Sequence, residues 1–309
     1  MKSHAAPAAN SALNRSAALA SIAVASLLAA MKGWAVWQTG STAMLGSLAD
    51  TVLDLVASVA TLAGVWVAAQ PEDNHHRFGH GKAEALAAMF QVTLISLSAL
   101  TLAFRSVQQF LSGSHMAAAE DGIVVSAIAM AATLALIAWQ RHVIRRTNSL
   151  AISTDHVHYK SDLFLNLAVI AALALERYAG FRGADSLFGF GIALWLGWGA
   201  WGASQEAITQ LMDGEWAEEK RSRFVKVMAR HPELRGVHDL RTRTSGNRDF
   251  VQFHVWVDPD MSVREAHRVM DEIELKLLAE FPGVEILIHP DPEGHVDTGL
   301  GAKDLLPNN

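Results

Sequence analysis

Six long apolar stretches with short polar connections fill the first two thirds of the chain: Leu13–Trp37, Thr42–Ala69, Glu84–Leu111, Gly122–Val143, Leu150–Tyr178 and Asp185–Leu211. Each reaches the ~20 residues a helix needs to cross the hydrocarbon core of a bilayer. The pattern therefore predicts an α-helical membrane domain of six transmembrane helices over residues 1–212. Basic residues orient it. Arg77 and Lys82 fall between the second and third stretches and Arg141, Arg145 and Arg146 near the fourth and fifth, whereas Ser112 to Asp121 carries none and only Arg177 and Arg182 separate the fifth from the sixth. By the positive-inside rule this is a multi-pass protein with both termini cytoplasmic. The first stretch is long and five more follow it, which argues for a retained span over a cleaved signal peptide.

From Asp213 the period changes. Ala217–Arg230 and Val263–Phe281 read as helices, and Val237–Thr244, Phe250–Val257 and Val284–His289 read as strands. The Ser245-Gly246-Asn247-Arg248 turn makes the first two strands a hairpin. The order fits a ferredoxin-like α/β domain with a split βαβ sheet over residues 213–292. Residues 293–309 have the composition of a disordered tail.

Composition sharpens the division. Hydrophobic residues make up 51% of the chain and charged ones only 18%, below the ~25% usual in soluble domains. From Asp213 onward 13 Lys and Arg face 19 Asp and Glu, so this part carries the whole formal charge of −6. An acidic soluble part suits cations and argues against nucleic acid as a partner. The absence of cysteine excludes disulfides and thiolate metal sites. No nucleophile, phosphate loop or triad pattern is present, so no enzyme is expected.

The candidate chemistry lies inside the apolar stretches. Asp50 and Asp54 in the second, and His158 and Asp162 in the fifth, are each spaced i, i+4, which puts both side chains of a pair on one helix face. Carboxylates in hydrocarbon cost from ~3 to more than ~10 kcal/mol and usually mark a partner or a pathway. The two stretches run in opposite directions. Asp50 lies ~12 Å below the outer end of its helix and Asp162 ~18 Å above the inner end of its own, so in a core ~30 Å thick the depths coincide. Polar neighbours (Ser47, Thr51, Ser58 and Thr61; Asp155 and Asn166) extend each pair into a stripe able to line a wet cavity. Three carboxylates and one imidazole suit tetrahedral Zn²⁺, with Fe²⁺, Co²⁺ and Cd²⁺ competing for the same donors. The rival reading makes these acids interhelical contacts, protonated or paired with Lys160. In the soluble part, His238 and His254 fall opposite each other across the hairpin, with His289 and Asp291 on the third strand and His267 on the helix. This set points to a binuclear Zn²⁺ site.

These segments carry a resemblance. Ser41 to Asp54 (Ser-x-Ala-Met-Leu-Gly-Ser-Leu-Ala-Asp-x-x-x-Asp), Phe78 to Glu84 (Phe-Gly-His-Gly-Lys-Ala-Glu), His158 to Asp162 (His-Tyr-Lys-Ser-Asp), His238 to Arg243 and Ile288 to Pro292 are similar to the signatures of the cation diffusion facilitators, in the family's order and over nearly the whole chain. The resemblance implies a homodimeric divalent metal/proton antiporter of the bacterial inner membrane, with a metallochaperone-like cytoplasmic domain, exporting Zn²⁺ together with Cd²⁺ and Fe²⁺ by alternating access. It places the transport site at Asp50, Asp54, His158 and Asp162, Asp50 implying broader selectivity than a histidine there. It places a loop site at Asp73, His76 and His80, beside an extra His75, and a charge interlock at Lys82 and Asp213. It assigns the histidines and aspartate of the soluble part to a regulatory site. Protons compete with metal for deprotonated ligands, which provides the means of antiport. The alternative is a membrane-bound metal sensor without transport, which would need only the soluble cluster.

Overall fold

The computed structural model describes residues 5–39, 42–112, 123–179, 183–230 and 235–294. The expected tail lies outside the described residues from 295 onward. Contacts divide the chain into a helical unit, residues 9–208, and a sheet unit of residues 209–309 with Met1–Ala8.

The helical unit contains α1 (Ala5–Thr39), α2 (Thr42–Ala68), α3 (Ala83–Ser112), α4 (Ile123–Thr147), α5 (Leu150–Ala179) and α6 (Ala184–Leu211). Among the described residues, Asn10–Gln38, Ser47–Ala68 and Ala83–Ser112 are long and apolar enough by composition to cross a membrane. The remaining three helices have 25, 30 and 28 residues. Large apolar side chains such as Trp66, Leu100, Phe104, Leu194, Trp198 and Trp201 are exposed, the inverse of a water-soluble bundle. Helix α4 runs to Thr147, beyond the expected Val143, so Arg145 and Arg146 sit in its last turn. Cations there complement the helix dipole, and Asn148, left-handed at φ 51°, ends the helix.

Polar contacts hold the bundle together where hydrophobic burial gives little driving force between helices. Asp155 on α5 is fully buried and accepts from Ser21 Oγ of α1 (2.6 Å), Gln91 Nε2 of α3 (2.7 Å) and Gln140 Nε2 of α4 (2.8 Å). Tyr159, one turn on, donates to the Ser21 carbonyl (3.2 Å) and lies 2.9 Å from the Ser58 hydroxyl of α2. Glu84 of α3 accepts from Asn14 and Ser149. Helices α2 and α3 meet at Gly64, where an added Cβ would lie 2.4 Å from the Ala87 methyl.

The sheet unit contains α7 (Glu218–Met228), β1 (Arg235–Ser245), β2 (Arg248–Val257), α8 (Val263–Glu280) and β3 (Val284–Pro292). The strand order is β1-β2-β3, with β1 antiparallel and β3 parallel to β2. The parallel pairing requires a crossover, and α8 supplies it. Ser262 caps α8 by accepting from the Glu265 N–H, the first half of a capping box. Strand β3 extends past the expected His289 because its ladder with β2 continues to Pro292. Val251, Phe253 and Val255 point into a core with Phe224, Val227, Ile273 and Leu277. Alternation along β2 therefore sends Gln252, His254 and Trp256 to the other face.

Candidate metal centres

In the helical unit, antiparallel packing of α2 and α5 places one pair of candidate ligands against the other. His158 Nε2 is 2.9 Å from Asp54 Oδ1 and 3.8 Å from Asp162 Oδ2, and the three residues offer donor atoms within 4.8 Å of one another. Asp50 is not in that tight group, although it lines the same cavity of about 280 Å³, which also reaches Gln91, Ser98, Thr101 and Arg105 of α3. The ligand-bearing face thus opens onto α3, a wall the sequence pattern did not indicate. Asp155 leaves the expected stripe: it is absent from the cavity lining and serves as the buried hub described above. Its three amide and hydroxyl donors explain why, since a lone carboxylate without them would be expelled from the interior. Lys160 lies over the Phe164 and Trp195 rings, 5.7 and 5.6 Å from their centroids, and not against the acids, which removes the paired form of the rival reading and leaves its protonated form.

The second group lies on the connection between α2 and α3. Asp73 Oδ1 accepts from the backbone N–H of His75 (2.8 Å) and His76 (2.6 Å), a turn closed by an aspartate side chain. The His76 N–H holds the Asp73 carboxyl below the usual carboxylate range. His80 Nε2 sits 3.1 Å from His76 Nδ1 and 3.3 Å from Asp73 Oδ2. Asp73, His76 and His80 form the group; the side chain of the neighbouring His75 stands outside it.

The third group lies on the sheet face away from α8. His238 and His254 are register partners, and parallel pairing sets His254 beside His289. Asp291 Oδ2 is 3.3 Å from His238 Nε2 and 2.8 Å from His254 Nδ1, and its Oδ1 is 3.2 Å from His289 Nε2. Asp291 thus contacts all three imidazoles, and His238, His254 and Asp291 form the tight group of donor atoms. His238 Nδ1 lies 2.7 Å from the Gly236 carbonyl. Donating there leaves Nε2 as a lone pair facing the cluster. Gly236 is left-handed (φ 54°), and an added Cβ would fall 2.1 Å from the Trp256 ring. His267 does not join this group. It is 75% exposed and paired with Asp271 at 3.1 Å, because the buried face of α8, through Ala266, Ile273 and Leu277, turns to the core on the opposite side of the sheet. Asp213, left-handed at φ 55°, accepts from Arg243 Nη1 at 3.1 Å within the sheet unit. Lys82 belongs to the helical unit.

Sequence reasoning missed Lys32 on α1, which donates to the Thr51 hydroxyl (2.7 Å) and the Ser47 carbonyl (3.3 Å) of α2. The signal was available, since an ionisable residue inside an apolar span is rare and has a reason.

A helical membrane unit with an acid and imidazole cluster facing a cavity, joined to a small α/β unit with a second cluster, defines a metal-handling membrane transporter. Residues 18–212 match the cation efflux transmembrane domain and residues 216–293 the cytoplasmic domain of cation efflux proteins. The chain is 42% identical over 276 residues to the cation-efflux pump FieF of Cronobacter sakazakii, covering 89% of this chain and 92% of that one. It is 40% identical over 280 residues to the FieF of Klebsiella pneumoniae, covering 91% and 93%. The chain belongs to the cation efflux family, also known as the cation diffusion facilitators, whose members in this comparison are transporters and not enzymes.

Proposed function

We propose that the chain exports Zn²⁺, with Cd²⁺ and Fe²⁺ as further substrates, in exchange for protons by alternating access, as a homodimer in the bacterial inner membrane with both termini cytoplasmic. The observation that carries this is the cluster of Asp54, His158 and Asp162, shared between two helices and facing a cavity that Asp50 also lines. Oxygen and imidazole donors are those of Zn²⁺, and the oxygen majority accommodates its competitors. Every ligand must be free of its proton to bind metal, so a pH gradient can drive exchange at a site opened alternately to the two sides. Asp50 lies one helical turn from Asp54 and completes the set of four when the helices close.

Residues 213–292 act as the dimerisation and regulatory domain. The match to the cytoplasmic domain supports this role, as do the donor set and spacing of His238, His254, His289 and Asp291. Two acidic domains repel, and Zn²⁺ bound between them relieves the repulsion. Lys82 and Asp213 would couple the two domains by charge. The loop cluster of Asp73, His76 and His80 takes metal on the cytoplasmic side.

Zn²⁺ flux into proteoliposomes under an imposed pH gradient tests the transport reading. Flux that follows the gradient in the native chain and disappears in Asp54→Ala is expected. A native chain that binds zinc in its sheet unit and moves none would be a membrane-bound sensor.

A further inference from the structure

Lys32 is a basic residue inside the apolar span Asn10–Gln38. An ammonium at such a depth is costly, and it commonly escapes by reaching along the helix to the interface. Lys32 takes another course. Side chains on a helix lean toward its N-terminus, which on α1 means away from the connection to α2 at residues 40–41. The ammonium is half-buried and holds two oxygens of α2, the Thr51 hydroxyl at 2.7 Å and the Ser47 carbonyl at 3.3 Å. Thr51 is itself buried and accepts this bond while donating to the same Ser47 carbonyl (3.1 Å). Thr51 follows Asp50 in sequence and precedes Asp54 by one turn, so the ammonium is held on α2 beside both carboxylate positions.

We propose that Lys32 is a fixed cation that tunes the metal affinity of the cluster at Asp50, Asp54, His158 and Asp162. Its charge has two opposite effects on that cluster. With no metal bound, it offsets the mutual repulsion of carboxylates confined at the centre of a membrane protein. With a divalent ion bound, it repels that ion and weakens the hold of the ligands, so release competes with retention. An exporter needs both, because a site that grips too tightly saturates and does not turn over. Arg105 of α3 lines the cavity itself, and its side chain is largely exposed; Lys32 stands outside the lining, behind the α2 segment that carries Asp50 and Asp54. Lys32, held against α2 by two hydrogen bonds, has the fixed position a tuning charge requires.

This inference rests on the transport reading, and equilibrium binding separates the two. Zn²⁺ binding is measured at alkaline pH, where protons compete least, in the full-length chain carrying Asp73→Ala and Asp291→Ala so that the membrane cluster dominates. Lys32→Gln keeps a donor for Thr51 and removes the charge. We expect it to bind Zn²⁺ about tenfold more tightly, the size Coulomb's law gives for one charge acting on a divalent ion across a partly wet site. In proteoliposomes its KM and kcat should both fall, and Lys32→Arg should behave as the native chain. Thr51→Val removes the hydrogen bond, retains the charge, and should leave the affinity within about twofold. Unchanged Zn²⁺ affinity in Lys32→Gln would overturn the proposal, and so would Thr51→Val reproducing the full effect, which would make Lys32 a helix-packing residue only. Should Lys32→Gln fail to fold, Lys32→Met in the same assay carries the same expectation and the same refutation. Absence of flux in the native chain would sink the transport reading while leaving the binding comparison intact.

Discussion

The cluster in the helical unit and the cluster in the sheet unit use the same ligand types on opposite kinds of scaffold. Asp54 and His158 come from two separate helices, joined by side-chain contacts alone, and their spacing depends on how α2 and α5 pack. His238, His254, His289 and Asp291 come from three strands joined by a continuous backbone ladder, so their spacing follows from register. Helices that meet through side chains can shift as rigid bodies at modest cost, whereas strands cannot slide without breaking the ladder and turning every side chain to the other face. The first arrangement can be opened and closed around an ion. The second can only be filled or emptied. This contrast is the physical argument behind the proposed division, in which one cluster moves metal and the other responds to it.

The largest effect should come from removing a ligand at the movable site. Asp54→Ala takes away the carboxylate 2.9 Å from His158 and should lower Zn²⁺ flux by more than about 100-fold, with zinc binding by the sheet unit unchanged. Flux retained within a few-fold would mean that the helical cluster is not on the transport route. Next in size is Asp291→Ala, which removes both oxygens that face the imidazoles of the sheet. Calorimetric titration of the full chain should lose that binding event, with affinity falling about 100-fold, while flux persists at a reduced rate. Abolished flux would break the division between the two clusters.

Gly236→Ala sharpens the claim that register fixes the sheet cluster. A Cβ there meets the Trp256 ring at 2.1 Å and demands a left-handed backbone from a residue that resists it. The Gly236 carbonyl, which orients His238, must move. Metal affinity of the sheet cluster should drop about tenfold, measured by competition with a chelator, without change at the helical site. Equal affinity would show that the imidazole orients without its backbone partner.

The two regions also differ in how far the sequence disclosed them. Sheet alternation has a period of two, and a turn pins the hairpin, so His238 opposite His254 follows from counting residues. The i, i+4 spacing identified both pairs in the helices, because one-turn neighbours share a face whatever else the fold does. Counting failed where a third element decided the outcome. Asp155 reads as a member of the ligand stripe, and only the arrival of Gln91 and Gln140 from α3 and α4 makes it a hub. His267 reads as a ligand, yet the burial of Ala266, Ile273 and Leu277 turns its helix face from the cluster. Lys32 belongs to no motif, and its bonds to Thr51 and Ser47 emerge only when α1 lies against α2.

Tyr159→Phe examines the packing that the movable site depends on. Its hydroxyl joins α5 to α1 and α2 through the Ser21 carbonyl and Ser58. Losing two buried hydrogen bonds should cost about 1–3 kcal/mol of stability, read as a lower melting temperature in detergent, with a flux loss smaller than that of Asp54→Ala. No change in melting would mean that the α2–α5 approach does not depend on this hydroxyl.

The loop cluster, held by neither a bundle nor a ladder, should give the smallest effect. Its organiser is Asp73, whose carboxyl is held below the usual carboxylate range mainly by the His76 N–H. A carboxylate depressed on folding adds stability above its ordinary titration range and loses it as pH falls through the lowered value. Amide exchange at His75 and His76 should therefore stay protected from neutral pH down through about pH 4, the ordinary range for aspartate, after correction for intrinsic exchange, and rise only below it. Asp73→Ala should speed exchange at those two amides a few-fold at every pH and flatten the profile. A native profile that already opens above the ordinary range would show that the two N–H contacts do not hold the turn. A geometry that loose would set the loop apart from both clusters, as a place where metal is met in passing and neither held by register nor enclosed by moving helices.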